Sequence, residues 1–157
     1  MPTCIINTPL GLTKISGDNL GISEVTVLNS NEVETDQIPI ELVDATIQLS
    51  EYFKSTREYF ELLLNPKGTE FQKSVWLQLE KIPYGKTISY LDLSKQLGDV
   101  KAVRAVANAN GKNPLWILIP CHRVIGSDGS LTGYVGGLLR KQWLLNHESP
   151  SNQQTLF

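Results

Sequence analysis

The sequence predicts an α/β protein of two parts, a small mixed α/β domain over residues 1–67 and a mainly helical domain over residues 68–157. Short apolar segments, interrupted by Pro and Gly, fill most of the first 50 residues and are typical of strands. Capped segments with apolar residues at helical spacing follow residue 68. Between the two patterns lies the turn sequence Asn65-Pro66-Lys67-Gly68, which we take as the domain boundary.

In the first domain, strands are predicted first and a helix later. The strand segments are residues 5–9, 10–16 and 22–28, with a turn at residues 17–19. A helix is expected from Pro39 onward, because apolar residues recur there at mixed helical spacings. Residues 57–64 form a further short element. The domain holds one cysteine and no histidine, so we interpret it as a scaffold.

The second domain carries signals for several short helices. Thr69 and Gln72 form a capping-box pattern, Ser89 resembles another cap, and Gly98 ends the helix that Ser89 begins. Helices are also predicted at residues 101–110 and 138–146. Two short helices joined through a glycine suggest a helix-turn-helix, and the turn at residues 124–131 suggests its wing. This shape also occurs where helices only pack together.

The charge is distributed unevenly. The net charge is −2, but residues 1–67 hold four Lys or Arg against ten Asp or Glu, and residues 68–157 hold ten against six. The first part is therefore at −6 and the second at +4. Such asymmetry predicts an acidic support and a basic half that binds phosphate, although a solvated surface would carry the same charges.

Composition indicates a globular cytoplasmic protein. Hydrophobic residues make up 41% and charged residues 19%, which suits a packed core. No run of 18 apolar residues predicts a membrane span, and the first residues do not resemble a signal peptide. Cys4 and Cys121 are the two cysteines, and we expect both to stay reduced.

The reactive stretch is Pro120-Cys121-His122-Arg123, which follows an apolar run that we predict to be a buried strand. The thiolate of a cysteine is a strong nucleophile, and a neighbouring base or cation favours it. A cysteine that is only a small buried hydrophobe is the alternative. A metal site would need more ligands than two cysteines and two histidines offer without consuming this thiol, so we expect neither metal nor cofactor.

Five segments resemble the O6-alkylguanine-DNA alkyltransferases (methylated-DNA–protein-cysteine methyltransferases) in order and spacing. Besides Pro120–Val124, they are residues 86–90, 104–106 with 111–114, 127–134 and 141–148. The resemblance implies transfer of an alkyl group from O6 of guanine, and from O4 of thymine, in double-stranded DNA to the protein's own cysteine. It also implies a monomer that acts once, a ribonuclease H-like first domain and a winged helix-turn-helix second domain.

The resemblance assigns roles to individual residues. Cys121 is the nucleophile, His122 takes its proton through a water, and Glu148 orients His122; Tyr90 protonates the leaving guanine and Asn113 braces the loop. DNA contacts are implied for Arg104, which would fill the gap left by a flipped base, and for Ala105, Asn110 and Arg123. The pocket for the flipped base comprises Tyr90, Trp116, Val124, Tyr134, Val135 and Gly136.

Two positions depart from the family pattern. Trp116 stands where relatives commonly have a smaller residue or proline, and Val135 stands where Ser or Ala is common. Both bear on the range of alkyl groups that the site accepts. Three other functions stay open: a non-catalytic alkylguanine sensor, a methylation-responsive transcription activator and a thiol hydrolase. Sensors of this fold lack the cysteine, the activator needs an additional cysteine-rich domain, and a papain-like hydrolase would use a histidine far downstream, for which His147 is the only choice.

Overall fold

The computed structural model describes residues 1–129 and 137–149. Within them the chain separates into two compact units. The first contains residues 1–67 together with Pro114–Leu118, and the second contains Gly68–Asn113 and the described residues from Ile119 on. The segment Pro114–Leu118, which we expected in the second domain, thus belongs to the first unit. None of the helices in the described ranges is long and apolar enough to cross a membrane.

A three-stranded antiparallel sheet forms the centre of the first unit. Its strands, in the order β1-β2-β3, are Thr3–Thr8, Gly11–Asp18 and Gly21–Val27. Two-residue turns join them, and Gly21 has φ +137, a value that side chains rarely tolerate. A Cβ at Gly21 would also lie 2.9 Å from the Leu63 carbonyl oxygen. The predicted strands are therefore present, with ends that differ by one or two residues.

Helix α1 (Val43–Phe53) follows a 3-10 turn (Ile40–Leu42). The amide of Gln48, on the buried face of α1, makes a reciprocal pair of hydrogen bonds with the backbone of Glu61. Residues 57–64 are an irregular segment, in which Leu64 forms a bridge to Ile22 of β3. The sequence suggested a short element at residues 57–64. In the structure the buried amide of Gln48 is satisfied by the backbone of this segment instead.

The second unit consists mainly of helices. These are α2 (Glu70–Leu79), α3 (Tyr90–Gln96), α4 (Val103–Gly111) and α5 (Leu138–Glu148), with the short parallel strands β4 (Ile88–Ser89) and β5 (Val124–Ile125). The predicted capping box at Thr69 and the cap at Ser89 are confirmed. Trp76 of α2 donates its indole N–H to the carbonyl of Ala109, which fastens α2 to α4.

The mixed α/β class is confirmed, but the strand predicted before Pro120 is wrong. Residues 114–118 run beside β3, where the N–H of Trp116 donates to the carbonyl of Val25. Ile117 then adopts φ +71, which is incompatible with an extended strand and rare for a β-branched residue. The apolar run Ile117–Ile119 is thus buried as an irregular turn.

Candidate active site

Cys121 lies at the start of a 3-10 turn formed by Cys121–Arg123. Its N–H donates to the carbonyl of Ile119 at 2.8 Å, and the N–H of Arg123 donates to the carbonyl of Pro120 at 3.0 Å. Cys121 is fully buried, and it is not in a disulfide. The hydrogen bonds of this turn therefore fix the backbone position from which the Cys121 side chain extends.

Two amides from the end of α4 hold the carbonyl groups around this turn. Asn113 donates to the carbonyl of Ile119 at 2.8 Å, and Asn110 donates to the carbonyl of Cys121 at 3.4 Å. The Asn113 bond is the kind of contact that bracing the loop requires. Asn110 is buried, with 1% of its surface exposed, and a direct DNA contact through Asn110 stays a prediction. Its side chain supports the turn from inside.

His122 and Glu148 form a buried pair. His122 Nε2 lies 2.6 Å from Glu148 Oε2, and neither side chain is accessible to solvent to more than 1%. Burial lowers the pKa of His122, the charges of Arg123 and Lys141 lower it further, and the attraction of Glu148 opposes them without reversing the shift. The imidazole is therefore neutral at physiological pH.

Burial alone would raise the pKa of Glu148, but its bonds to His122 and Arg123 hold that pKa well below the usual range. An ionised carboxylate can only accept hydrogen bonds, so the neutral imidazole must carry its proton on Nε2. His122 Nδ1 is then the basic nitrogen. It is buried and makes no hydrogen bond within the described part of the chain. The pair thus presents a neutral base next to Cys121.

Arg123 is the second partner of Glu148. Its Nε and Nη2 donate to the two carboxylate oxygens at 2.8 and 3.0 Å, and its Nη1 donates to the carbonyl of Ile82 at 2.7 Å. Only 6% of the Arg123 surface is exposed, and its three donors are used within the protein, so a DNA contact through Arg123 stays a prediction. The bidentate pair fixes Glu148, and Glu148 in turn fixes His122.

Lys141 was missed by the sequence analysis. It lies in α5 and is fully buried, and Cys121 is the group whose attraction supports its charge. Its Nζ lies 5.8 Å from the ring centroid of Tyr90, the first residue of α3. Lysine is almost never fully buried without a partner, and the residues next to Lys141 in the sequence do not indicate one. The burial of Lys141 was therefore not predicted.

The remaining predicted pocket residues are distributed as follows. Tyr90 and Val124 are both buried in the second unit. Trp116 is buried in the first unit, and its indole N–H has no hydrogen-bond partner among the described residues. Tyr134, Val135 and Gly136 lie outside the described residues.

Helix α4 has an exposed, basic face. Arg104 and Ala105 are exposed, as are Asn108 and Lys112, and these positions fall on one side of the helix. The opposite side, with Val106, is buried, and α4 carries no acidic residue. Arg104 and Ala105 are thus available to a DNA partner.

A metal centre has no counterpart among the described residues, since no group of three or more His, Cys, Asp or Glu side chains lies close enough together to hold an ion. The other thiol, Cys4, is buried in β1, and burial raises its pKa. Cys4 is therefore held as a thiol, and Cys121 is the cysteine with a base beside it.

Comparison with known proteins gives consistent matches. Residues 70–150 match the family model described as 6-O-methylguanine DNA methyltransferase, DNA binding domain. A methylated-DNA–protein-cysteine methyltransferase of Methanosarcina barkeri is 44% identical over 149 residues, covering 92% of this chain and 94% of its own. The constitutive enzyme of that name from Bacillus subtilis is 48% identical over 130 residues, covering 82% and 76%.

Solved structures agree with these relatives. The Mycobacterium tuberculosis O6-methylguanine methyltransferase superposes with a TM-score of 0.83 at 38% identity, over 93% of this chain and 91% of that one. The Mycobacterium tuberculosis OGT in complex with DNA gives a TM-score of 0.84 at 39% identity, over 98% and 97%. Because the agreement covers nearly the whole length of both chains, this chain belongs to the methylated-DNA–protein-cysteine methyltransferase family.

Proposed function

We propose that this protein repairs DNA directly, by transferring a methyl or other alkyl group from O6 of guanine to the thiol of Cys121. The observation that carries the proposal is the buried arrangement of Cys121, His122 and Glu148 in a chain 44% identical to a methylated-DNA–protein-cysteine methyltransferase. The same chemistry extends to O4 of thymine, where the alkyl carbon is also bonded to an exocyclic oxygen of the base.

The first step moves the thiol proton of Cys121 to His122. The basic Nδ1 accepts it through one water molecule, while Nε2–H stays bonded to Glu148. The imidazolium that forms is stabilised by the Glu148 carboxylate, which Arg123 holds in place. His122 is neutral beforehand, so it is ready to accept the proton at physiological pH.

In the second step Cys121 Sγ attacks the alkyl carbon. An S–C bond forms, the C–O6 bond breaks, and its electron pair goes to the guanine. The phenol of Tyr90 supplies a proton to the leaving base and regains one from His122, so the thiol proton ends on the restored guanine. Cys121 is left as a thioether, which is stable to hydrolysis, so each protein acts once.

Access to the base requires that the nucleotide leave the duplex, at a cost of a few kcal/mol. The exposed face of α4 fits this task, because Ala105 permits close approach and Arg104 can fill the vacated stack. In this proposal α3 and α4 are the helix-turn-helix, and the turn predicted at residues 124–131, of which residues 124–129 are described, is its wing. Binding through shape and phosphates suits repair at any sequence.

Three finer features complete the proposal. The first unit is ribonuclease H-like, which its antiparallel sheet and following helix support. The protein acts as a monomer, since every residue assigned to the transfer step belongs to one chain. It works in the cytoplasm, where thiols such as Cys4 and Cys121 stay reduced.

The test is intact mass after mixing with duplex DNA that contains O6-methylguanine. One methyl group per protein, with guanine restored in the DNA, is expected, and no further turnover with excess DNA. A thiol hydrolase would regenerate its cysteine and release product repeatedly, whereas a damage sensor would bind without any gain in mass. Either result would overturn the proposal.

A further inference from the structure

A turn that follows α2 lies beside the buried carboxylate of Glu148. Residues 83–86 form it, and the N–H of Lys86 donates to the carbonyl of Pro83 at 3.1 Å. Gly85 is the third residue of this turn and has φ +78, a conformation that glycine adopts without strain. Its N–H donates to Glu148 Oε1 at 3.5 Å, and a Cβ at Gly85 would lie 3.3 Å from the Glu148 carbonyl oxygen. The turn is therefore close against the C-terminal end of α5.

Ile82 and Tyr84 both contact Arg123 from this part of the chain. Arg123 Nη1 donates to the carbonyl of Ile82 at 2.7 Å, and the central guanidinium carbon lies over the Tyr84 ring, 5.7 Å from its centroid. The N–H groups of a guanidinium point outward in one plane, so the hydrogen bonds to Glu148 and Ile82 occupy its edge and leave its two faces for other contacts. The ring of Tyr84 covers one face, in the geometry of a cation–π interaction. The Tyr84 hydroxyl donates to the carbonyl of His147 at 3.5 Å, which is long for such a bond, so the ring makes the stronger contact.

We propose that Tyr84 is a positioning residue of the transfer site: its ring face holds the Arg123 guanidinium on Glu148, so that Arg123 balances the charge of the carboxylate and His122 stays uncharged. The proposal rests on the transfer function above and adds one residue to the set that prepares the base. Without the ring, water reaches the uncovered face of the guanidinium and competes with Glu148 for Arg123. The carboxylate is then left to attract a proton onto His122.

The expected effect on His122 has a definite direction. Burial and the positive charge of Arg123 both lower the pKa of His122. Loss of the Tyr84 ring weakens both influences, because water enters and Arg123 moves toward it, so the pKa of His122 should rise. The other charged and titratable groups around the imidazole, which all variants below retain, are Glu148, Lys141, Cys121 and Tyr90.

A higher pKa of His122 slows transfer, because a protonated imidazole cannot accept the thiol proton. A nearby charge shifts a pKa by about one to three units, and a rise of one unit lowers the uncharged fraction of His122 about tenfold at pH values below both midpoints. Well above the midpoints that fraction is unchanged. Tyr84→Leu should therefore slow transfer by up to about tenfold toward acid pH and little at alkaline pH. A loss of structure alone would slow transfer by a similar factor at every pH.

The direct test is an NMR titration of the imidazole signals without DNA. The chain has two histidines, and the signal of His147 is recognised by its loss in His147→Ala. We expect the midpoint of His122 to rise by about one unit in Tyr84→Leu and to keep its wild-type value in Tyr84→Phe, which retains the ring. Tyr59→Leu, at an exposed tyrosine of the first unit, is the matched control and should leave the midpoint unchanged. An unshifted midpoint in Tyr84→Leu, or an equal shift in Tyr84→Phe, overturns the proposal.

A second comparison covers the case in which Tyr84→Leu does not fold. Pentafluorophenylalanine at position 84 retains an aromatic ring of similar shape, but its fluorine atoms withdraw the negative charge on the ring face that attracts a cation. We expect the midpoint of His122 to lie higher in this protein than in Tyr84→Phe, because the fluorinated ring no longer holds Arg123. Equal midpoints in these two proteins overturn the proposal. Both titrations omit DNA, so a failure of methyl transfer from DNA would leave them readable.

Discussion

Glu148 Oε2 lies 2.6 Å from His122 Nε2, although 26 residues of sequence separate the two and both side chains are buried. The closeness means that the last turn of α5 determines the tautomer of a histidine at the Cys121–Arg123 turn. The base strength of His122 is therefore a property of the folded second unit, and it can be tested one side chain at a time.

Replacing each cysteine separately identifies the methyl acceptor. Cys121→Ala should abolish methyl transfer from O6-methylguanine duplex DNA and retain DNA binding, because the thiol is the nucleophile and the exposed face of α4 is unchanged. Cys4→Ala should transfer normally, since burial keeps Cys4 a thiol. Peptide mapping of the wild-type protein should place the methyl group on Cys121. A methyl group found on Cys4 would refute the assignment.

The pH dependence of transfer tests His122. An unassisted thiol has a pKa of about 8.5 and is mostly protonated at neutral pH. His122→Ala should therefore slow transfer most below pH 8 and progressively less above it. His147→Ala is the control: its ring stacks on Trp143 at a centroid distance of 4.8 Å. A rate profile of the same shape in His122→Ala and wild type would rule out the relay.

Stability against acid tests Glu148. Its pKa in the folded protein is held well below that of an unfolded glutamate, about 4.3. The unfolded chain thus binds the proton first as the pH falls, so the stabilisation is complete above about pH 4.3 and is lost toward lower pH. Glu148→Gln should lower the free energy of unfolding by about 3–5 kcal/mol at pH 7, because Arg123 is left buried without its counter-charge.

The difference between Glu148→Gln and wild type should shrink as the pH falls below about 4.3, measured from urea unfolding at a series of pH values. Glu51→Gln provides a control, because Glu51 pairs with Arg57 at 3.0 Å on a partly exposed surface. Such pairs contribute at most about 1 kcal/mol. A Glu148→Gln deficit that stays constant from neutral to acid pH would contradict the ionised, stabilising carboxylate.

Elements of the fold that are determined by neighbouring residues were predicted correctly from the sequence, whereas an element determined by distant contacts was not. The caps at Thr69 and Ser89 are formed by neighbouring residues, and both were predicted correctly. The apolar run at Ile117 has the composition of a strand, yet the chain turns there because residues 114–118 are already paired beside β3. The apolar composition of this run predicts that it is buried, but it does not predict the direction in which the backbone turns.

The same distinction applies to the site. The nucleophile could be read from Cys121 and its neighbours, and only resemblance to a family linked His122 to Glu148. The pairing of Arg123 with Glu148 was not predicted, because this bidentate partner lies 25 residues away in the sequence. Lys141 was missed because lysine side chains are usually exposed to solvent. Such long-range pairings become visible only once α5 is packed.

Arg104 is tested by comparing substrates that differ in the cost of opening the duplex. If its side chain holds the gap left by an extruded base, removing it should matter where the gap is costly to keep open. Unstacking costs a few kcal/mol in paired DNA, and 1.4 kcal/mol corresponds to a factor of ten. Arg104→Ala should therefore slow repair of a fully paired duplex by more than about tenfold. Repair of a mismatched site should suffer less, and reaction with the free methylated base hardly at all.

Salt separates this role from a simple phosphate contact. Phosphate contacts weaken as salt rises, because binding releases counterions, so a defect that arises only from a lost contact should fade at raised salt. Lys101→Ala, at an exposed lysine just before α4, is the comparison for that behaviour. The Arg104→Ala defect should instead persist at raised salt, since stacking in the gap does not depend on counterions. If Arg104→Ala slows the reaction by the same factor on the free base and on the duplex, Arg104 supports the fold. If the defect disappears at raised salt, Arg104 makes only an electrostatic contact with phosphate.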